Sequence, residues 1–246
     1  MKIYQVKTKL ANSYVADHGT ELVVFDVAKN CHSAVLSFIT QTLGRCINDI
    51  SLVCATHDDP DHIGGVSQLA ALADARVIIP WASNKSALKF RRDPAGSLMR
   101  VRTAMIEGTR RRAWDMYFSR SRKQRYENSS EEKYELSDKI PEHTRLKNRE
   151  TLPGQAEWVL IHTPGHSWDS VCYFHGATGS LITGDTILAS KPRGELILPS
   201  IYSNRKQLES SLKILSKLEI TNVLPGHGTE MRTTSDSILR LASKIF

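Results

Sequence analysis

Apolar and polar residues alternate with two different periods along this chain, and the places where one period gives way to the other mark its elements. Short β-rich runs at 3–6, 13–16 and 22–25 are separated by Thr, Asn, Asp, His and Gly, which predicts an antiparallel meander. From 31 to 43 the apolar positions Val35, Leu36, Ile39 and Leu43 fall on one helix face, with Gly44 as the stop. The unbroken apolar run 50–55 predicts a buried strand, followed by a helix over 64–73 and a strand over 76–79, which together make a βαβ unit. Regular alternation stops at 84 and returns near 150. Strands are then expected at 157–162, 171–174 and 181–183, an amphipathic helix over 205–218 with Leu208, Leu212, Leu215 and Leu218, a last strand at 221–224 and a closing helix over 235–245. No fixed-period repeat is visible.

With 246 residues, one α/β domain covering 1–246 can own a substantial core. No run of about 18 apolar residues occurs, so no membrane-spanning helix and no membrane partner are expected. The first residues lack the apolar core of a signal peptide, which makes the cytoplasm the expected location. Cys31, Cys46, Cys54 and Cys172 have no C-x-x-C spacing and read as buried thiols.

The net charge of +7 sits in one place: residues 85–125 hold thirteen Lys or Arg against Asp93, Glu107 and Asp115. Within that stretch Leu98, Val101 and Met105, then Trp114, Tyr117 and Phe118, predict one or two helices with an apolar stripe and a basic opposite face. Residues 127–150 read as exposed loop. The whole of 84–150 is therefore taken as a basic, helical insertion within the domain, a candidate lid or homodimer contact, too short and too charged to own a core.

The chemistry is concentrated in Thr56-His57-Asp58-Asp59-Pro60-Asp61-His62-Ile63-Gly64-Gly65, where five potential metal ligands crowd into six residues before a glycine pair. Imidazole and carboxylate groups together suit zinc, manganese or iron. Three later fragments each set a His or Asp beside glycine: Pro164-Gly165-His166, Thr183-Gly184-Asp185 and Pro225-Gly226-His227-Gly228. In this order the fragments resemble the metallo-β-lactamase fold superfamily of metal-dependent hydrolases, from the first strands to the last helix. The resemblance implies a four-layer αβ/βα sandwich, with His57, Asp59 and His166 on a first metal, Asp61, His62 and His227 on a second, and Asp185 bridging. It also suggests that Asp26, at the end of the third strand, orients the metal loop.

In this family Asp61 and Asp185 are expected to serve the catalytic centre as well as the ions. Two divalent ions are implied, zinc first, with manganese or iron as alternatives. The chain departs from the usual H-x-H-x-D-H loop at one position, because Asp59 stands where a second His is normal. An ionised Asp59 removes one unit of positive charge from the site, weakens it as a Lewis acid and adds a hard oxygen ligand, which favours manganese or iron. A metal-bound hydroxide in such a site attacks an acyl or phosphoryl centre. The expected function is therefore hydrolysis of an ester, lactone, thioester or phosphoester of a small, anionic substrate. The alternative is a phosphodiesterase or nuclease that holds nucleic acid through residues 85–125. His18, His32, His143, His162 and His175 lie outside the pattern and read as structural or surface residues.

Overall fold

Side-chain alternation within each strand decides which of two layers a residue enters. The structure, a computed structural model, describes residues 1–83, 93–110, 143–190 and 192–245. One sheet runs in sequence order through β1 (Lys2–Lys7), β2 (Asn12–Asp17), β3 (Leu22–Phe25), β4 (Ile50–Cys54), β5 (Arg76–Pro80) and β6 (His143–Leu146). Its first three strands are antiparallel, and β3 to β6 are parallel.

A second sheet contains β7 (Thr151–Leu152), β8 (Gln155–His162), β9 (Val171–His175) and β10 (Ser180–Gly184). A separate hairpin follows, β11 (Leu188–Ser190) with β12 (Glu195–Ile197), and then β13 (Asn222–Pro225) and β14 (Met231–Arg232) complete the second sheet in the order β14-β13-β10-β9-β8-β7. The described helices are α1 (His32–Ser37), α2 (Val66–Ala73), α3 (Pro94–Arg110), α4 (Arg205–Leu215) and α5 (Ser235–Ser243).

On β3, Leu22 and Val24 pack with Val35 of α1 and Val66 and Leu69 of α2, while Val23 and Phe25 point to the other sheet. There they meet Trp158 and Leu160 of β8 and Tyr173 of β9. The Phe25 ring centroid lies 4.8 Å from Trp158 and 5.1 Å from Tyr173, within the range where aromatic pairs add to plain burial. The residues between them, Ile161 and Cys172, face outward onto Leu208 and Leu212 of α4 and Ile238 and Leu241 of α5. Two sheets facing each other, each backed by helices, give the four-layer αβ/βα sandwich.

Several boundaries differ from expectation. The helix expected over 31–43 is α-helical only to Ser37 and continues as a π-helical turn, Phe38–Thr42, before Gly44 takes a left-handed φ of 65°. The insertion 84–150 is shorter at its C-terminal end, because 143–146 is not loop but β6, paired in parallel with β5. Its His-Thr-Arg-Leu sequence buries only Leu146, so it carries no apolar alternation, and only a long-range partner makes it a strand.

The apolar stripe is also turned around. Leu98, Val101 and Met105 are 62%, 56% and 53% exposed, whereas Thr103 and Glu107 are buried; α3 lays its polar face on the polar rim of the sandwich. Trp114, Tyr117, Phe118 and most of the basic residues lie outside the described residues. Cys46 is exposed, and the other three thiols are buried and unpaired. Among the described residues no helix is long and apolar enough to cross a membrane.

Candidate metal centre

Loops leaving β4, β8, β10 and β13 converge at one end of the sandwich, the strand-end location where α/β sheets place their sites. His57 to His62 follow β4, His166 lies between β8 and β9, Asp185 directly follows β10 and His227 follows β13 by one residue. Two of these loops are tied to the opposite sheet. Tyr173 donates its hydroxyl to Ala55 O at 2.9 Å and Val171 N donates to Thr56 O at 2.9 Å, which fixes the metal loop. Asn12 Nδ2 and the Tyr14 hydroxyl both donate to Pro225 O at 2.8 Å, which fixes the His227 loop.

The donor atoms of the seven candidate ligands come together in two adjoining groups. Asp59 Oδ2 lies 3.4 Å from His57 Nε2 and 3.3 Å from His166 Nε2. Beside them, His227 Nε2 lies 3.5 Å from Asp61 Oδ2 and 3.5 Å from Asp185 Oδ1, and His62 Nε2 lies 3.3 Å from that same Asp185 oxygen. The other oxygen, Asp185 Oδ2, is 3.7 Å from His166 Nε2, so this carboxylate faces both groups. Three sets meet the spacing for a shared ion: His57, Asp59 and His166; His57, His62 and Asp185; and Asp61, His62 and His227.

Hydrogen bonds behind the ligands present their lone pairs to the centre. Asp26, held at a φ of 55° at the end of β3, accepts from Thr56 N at 2.7 Å, the Thr56 hydroxyl at 2.8 Å and His62 Nδ1 at 2.8 Å. Because the Thr56 hydroxyl spends its one proton on Asp26, its 3.0 Å contact with His57 Nδ1 requires that nitrogen to donate. His166 Nδ1 donates to Ile201 O at 2.7 Å. The Nε2 atoms of His57, His62 and His166 are thereby the ones turned inward, the arrangement by which outer hydrogen bonds orient metal-binding imidazoles. Glycine permits the closeness: a Cβ on Gly226 would lie 2.6 Å from His62 Cε1 and 2.7 Å from Asp185 Oδ1, and one on Gly184, at a φ of 47°, would overlap the Thr56 side chain.

The electrostatics follow from this crowding. Burial pulls the His62 pKa down, but Asp185 and Asp26 outweigh it and hold the ring well above its ordinary value. Burial is likewise overcome at His227, which Asp185 and Asp61 push up to about 9. His57 is lowered by burial and by His62. Burial raises Asp185 and Asp59, yet His62 and His227 hold Asp185 well below the usual carboxylate range, and His166, His57 and Arg100 do the same for Asp59.

These residues fit divalent ions. A tetrahedral ion with ligand bonds of about 2.0–2.1 Å separates its donors by roughly 3.4 Å, the spacing found in both groups. His57 Nε2, His62 Nε2 and Asp185 Oδ1 are buried and make no well-aligned hydrogen bond among the described residues, and an ion between them supplies the partner they lack.

Sequence reading missed two contributors. Arg100 of α3 forms a two-pronged ion pair with Asp59, Nη1 to Oδ1 at 3.2 Å and Nη2 to Oδ2; it was legible only as one of thirteen basic residues. Asp169 accepts from Asp58 N and the Ser83 hydroxyl at 2.9 Å each and from the Ser167 hydroxyl at 2.8 Å, stitching the His166 loop to the metal loop. His162 contacts Trp168 O at 2.8 Å, away from the ligands. None of His18, His32, His143, His162 and His175 joins a candidate ligand group. Burial pushes the Cys172 thiol up to about 12, so it stays protonated in the core.

A family model described as the metallo-beta-lactamase superfamily matches residues 7–227. The probable metallo-hydrolase YqjP of Bacillus subtilis (strain 168) is 30% identical over 82 residues, 31% of this chain and 26% of that protein. The atrochrysone carboxyl ACP thioesterase of Aspergillus fumigatus is 30% identical over 105 residues, 40% of this chain and 23% of that protein. These matches cover only about a quarter of each relative's length. The crystal structure of TTHA1623 in a di-iron-bound form superposes with a TM-score of 0.58 at 22% identity, covering 98% of this chain and 96% of that one, and shares the fold.

Proposed function

The chain belongs to the metallo-beta-lactamase superfamily, and from that premise we propose a metal-dependent hydrolase that cleaves an ester, lactone, thioester or phosphoester of a small, anionic substrate. His57, Asp59 and His166 hold a first divalent ion, Asp61, His62 and His227 hold a second, and Asp185 lies between them. The observation that carries this reading is the convergence of seven donor atoms from four loops at ligand spacing. Bound there, divalent ions supply Lewis acidity and lower the pKa of water towards neutrality. The protein's own part is to fix the inward lone pairs through Asp26, Thr56 and Ile201, to hold Asp185 ionised, and to bring the Arg100 guanidinium of α3 against Asp59, where it adds positive charge beside the ions.

Zinc is the first candidate, and the di-iron form of a structural neighbour keeps iron beside it. The name of the Aspergillus relative supports including a thioester among the substrates tested. The test is a panel comprising a chromogenic phosphodiester, a lactone, a thioester and a cephalosporin, assayed after reconstitution with zinc, manganese or iron. Metal-dependent turnover of at least one acyl or phosphoryl substrate is expected, with Asp185→Asn lowering it by about 100-fold or more. Turnover confined to the phosphodiester, with salt-sensitive oligonucleotide binding, transfers the reading to a nuclease. Metal-loaded protein inert to the whole panel refutes the proposed substrate range.

A further inference from the structure

The carboxylate that replaces the family's usual histidine does not stand alone: Arg100 covers it. The two prongs of the guanidinium engage both Asp59 oxygens, and Nη2 also lies 3.3 Å from His166 Nε2. His166 Nδ1 faces a carbonyl, Ile201 O, and donates, so in the neutral ring that binds a metal the lone pair is on Nε2, which lies 3.3 Å from both Arg100 Nη2 and Asp59 Oδ2. Arginine has no acceptor, so Nη2 donates into that lone pair. An imidazole nitrogen has one lone pair, and it cannot serve a guanidinium proton and a metal ion together.

We propose that Arg100 is a resident counter-cation of the first metal position, which a divalent ion must displace from His166, so that a residue of helix α3 sets the affinity of the first position and not of the second. This rests on the reading of His57, Asp59 and His166 as metal ligands. No described contact joins Arg100 to Asp61, His62 or His227, so the competition is confined to one position. The guanidinium is held for this role. Its side chain is only 22% exposed, and both of its terminal nitrogens are engaged by Asp59. One helical turn along, the Thr103 hydroxyl accepts from Tyr202 N at 3.3 Å, next to Ile201, whose carbonyl orients His166. Arg100 and the contact that docks α3 on the loop behind that ligand therefore belong to one helix.

The test is metal binding to the metal-stripped full chain, followed by equilibrium dialysis with zinc and by cobalt(II) absorption, neither of which depends on turnover. The His166→Ala variant identifies the first position as the binding class it abolishes. Arg100→Ala is expected to tighten that class by about 10- to 100-fold, the range for removing a charge-assisted pair, and to change the other class by less than about threefold. The gain should vanish when His166→Ala is added. Arg102→Ala removes the same charge from an exposed position on the same helix and should leave both classes unchanged.

The inference is overturned if Arg100→Ala leaves the first class unchanged or weaker, or if Arg102→Ala matches its effect. In those cases the hydrolase reading stands. Protein that binds metal in neither class removes both.

Discussion

Loading this centre with metal should release protons, and the number can be worked from the structure. In the metal-free protein Asp185, with Asp26 for His62 and Asp61 for His227, keeps both rings protonated at pH 7, His227 with a pKa of about 9 and His62 well above its ordinary value. His57 is lowered and Asp59, Asp61 and Asp185 are already ionised, so they add none. An ion entering the second position at pH 7 must therefore expel two histidine protons. For His227 alone, two units between pH and pKa weaken apparent affinity by about 30- to 100-fold, the lower figure allowing for solvent screening of its partly exposed ring.

Calorimetric titration of zinc at pH 7 in buffers of different ionisation enthalpy counts the protons, with about two or more expected. Apparent affinity should rise by about one log unit per pH unit from the His227 proton alone, and by more where His62 releases its own, between pH 6.5 and 8.5. Release of less than one proton, or a flat affinity over that window, refutes the electrostatic account. Stability of the metal-free protein has the matching sign. The His227 pKa is raised from 6.5 to about 9, so its contribution is complete below about pH 6.5 and is lost as pH rises through about 9. The metal-free Tm should fall across that window, and the metal-loaded Tm should not.

Asp26→Asn leaves an amide where a carboxylate accepts three hydrogen bonds; metal affinity, read by competition with a chelator, should fall by about 10- to 100-fold, and unchanged affinity would confine Asp26 to its turn. Gly226→Ala drives a methyl group to 2.6 Å from His62 Cε1 and 2.7 Å from Asp185 Oδ1, which should cost about 1–3 kcal/mol in denaturant unfolding together with the second metal; a fully stable variant binding two ions would show that the loop yields freely.

The ligand types and their order are local chemistry, written in four short fragments around His57, His166, Asp185 and His227, so they were legible without coordinates. The strands β3 and β9 and the leucine-spaced α4 were legible for the same reason, because apolar runs and helical spacing are properties of consecutive residues, while the four layers came from the family resemblance that the fragments carry. Three features were decided elsewhere. The β6 strand exists because β5 offers a parallel edge to a polar tetrapeptide from across the insertion. The direction faced by α3 was hidden because periodicity reveals a stripe but not the surface it meets; the stripe faces solvent, and Arg100 and Thr103 face the sandwich. Above all, the pairing of Arg100 with Asp59 joins residues 41 positions apart. An ion pair depends on distance through space, and only the folded chain sets that distance.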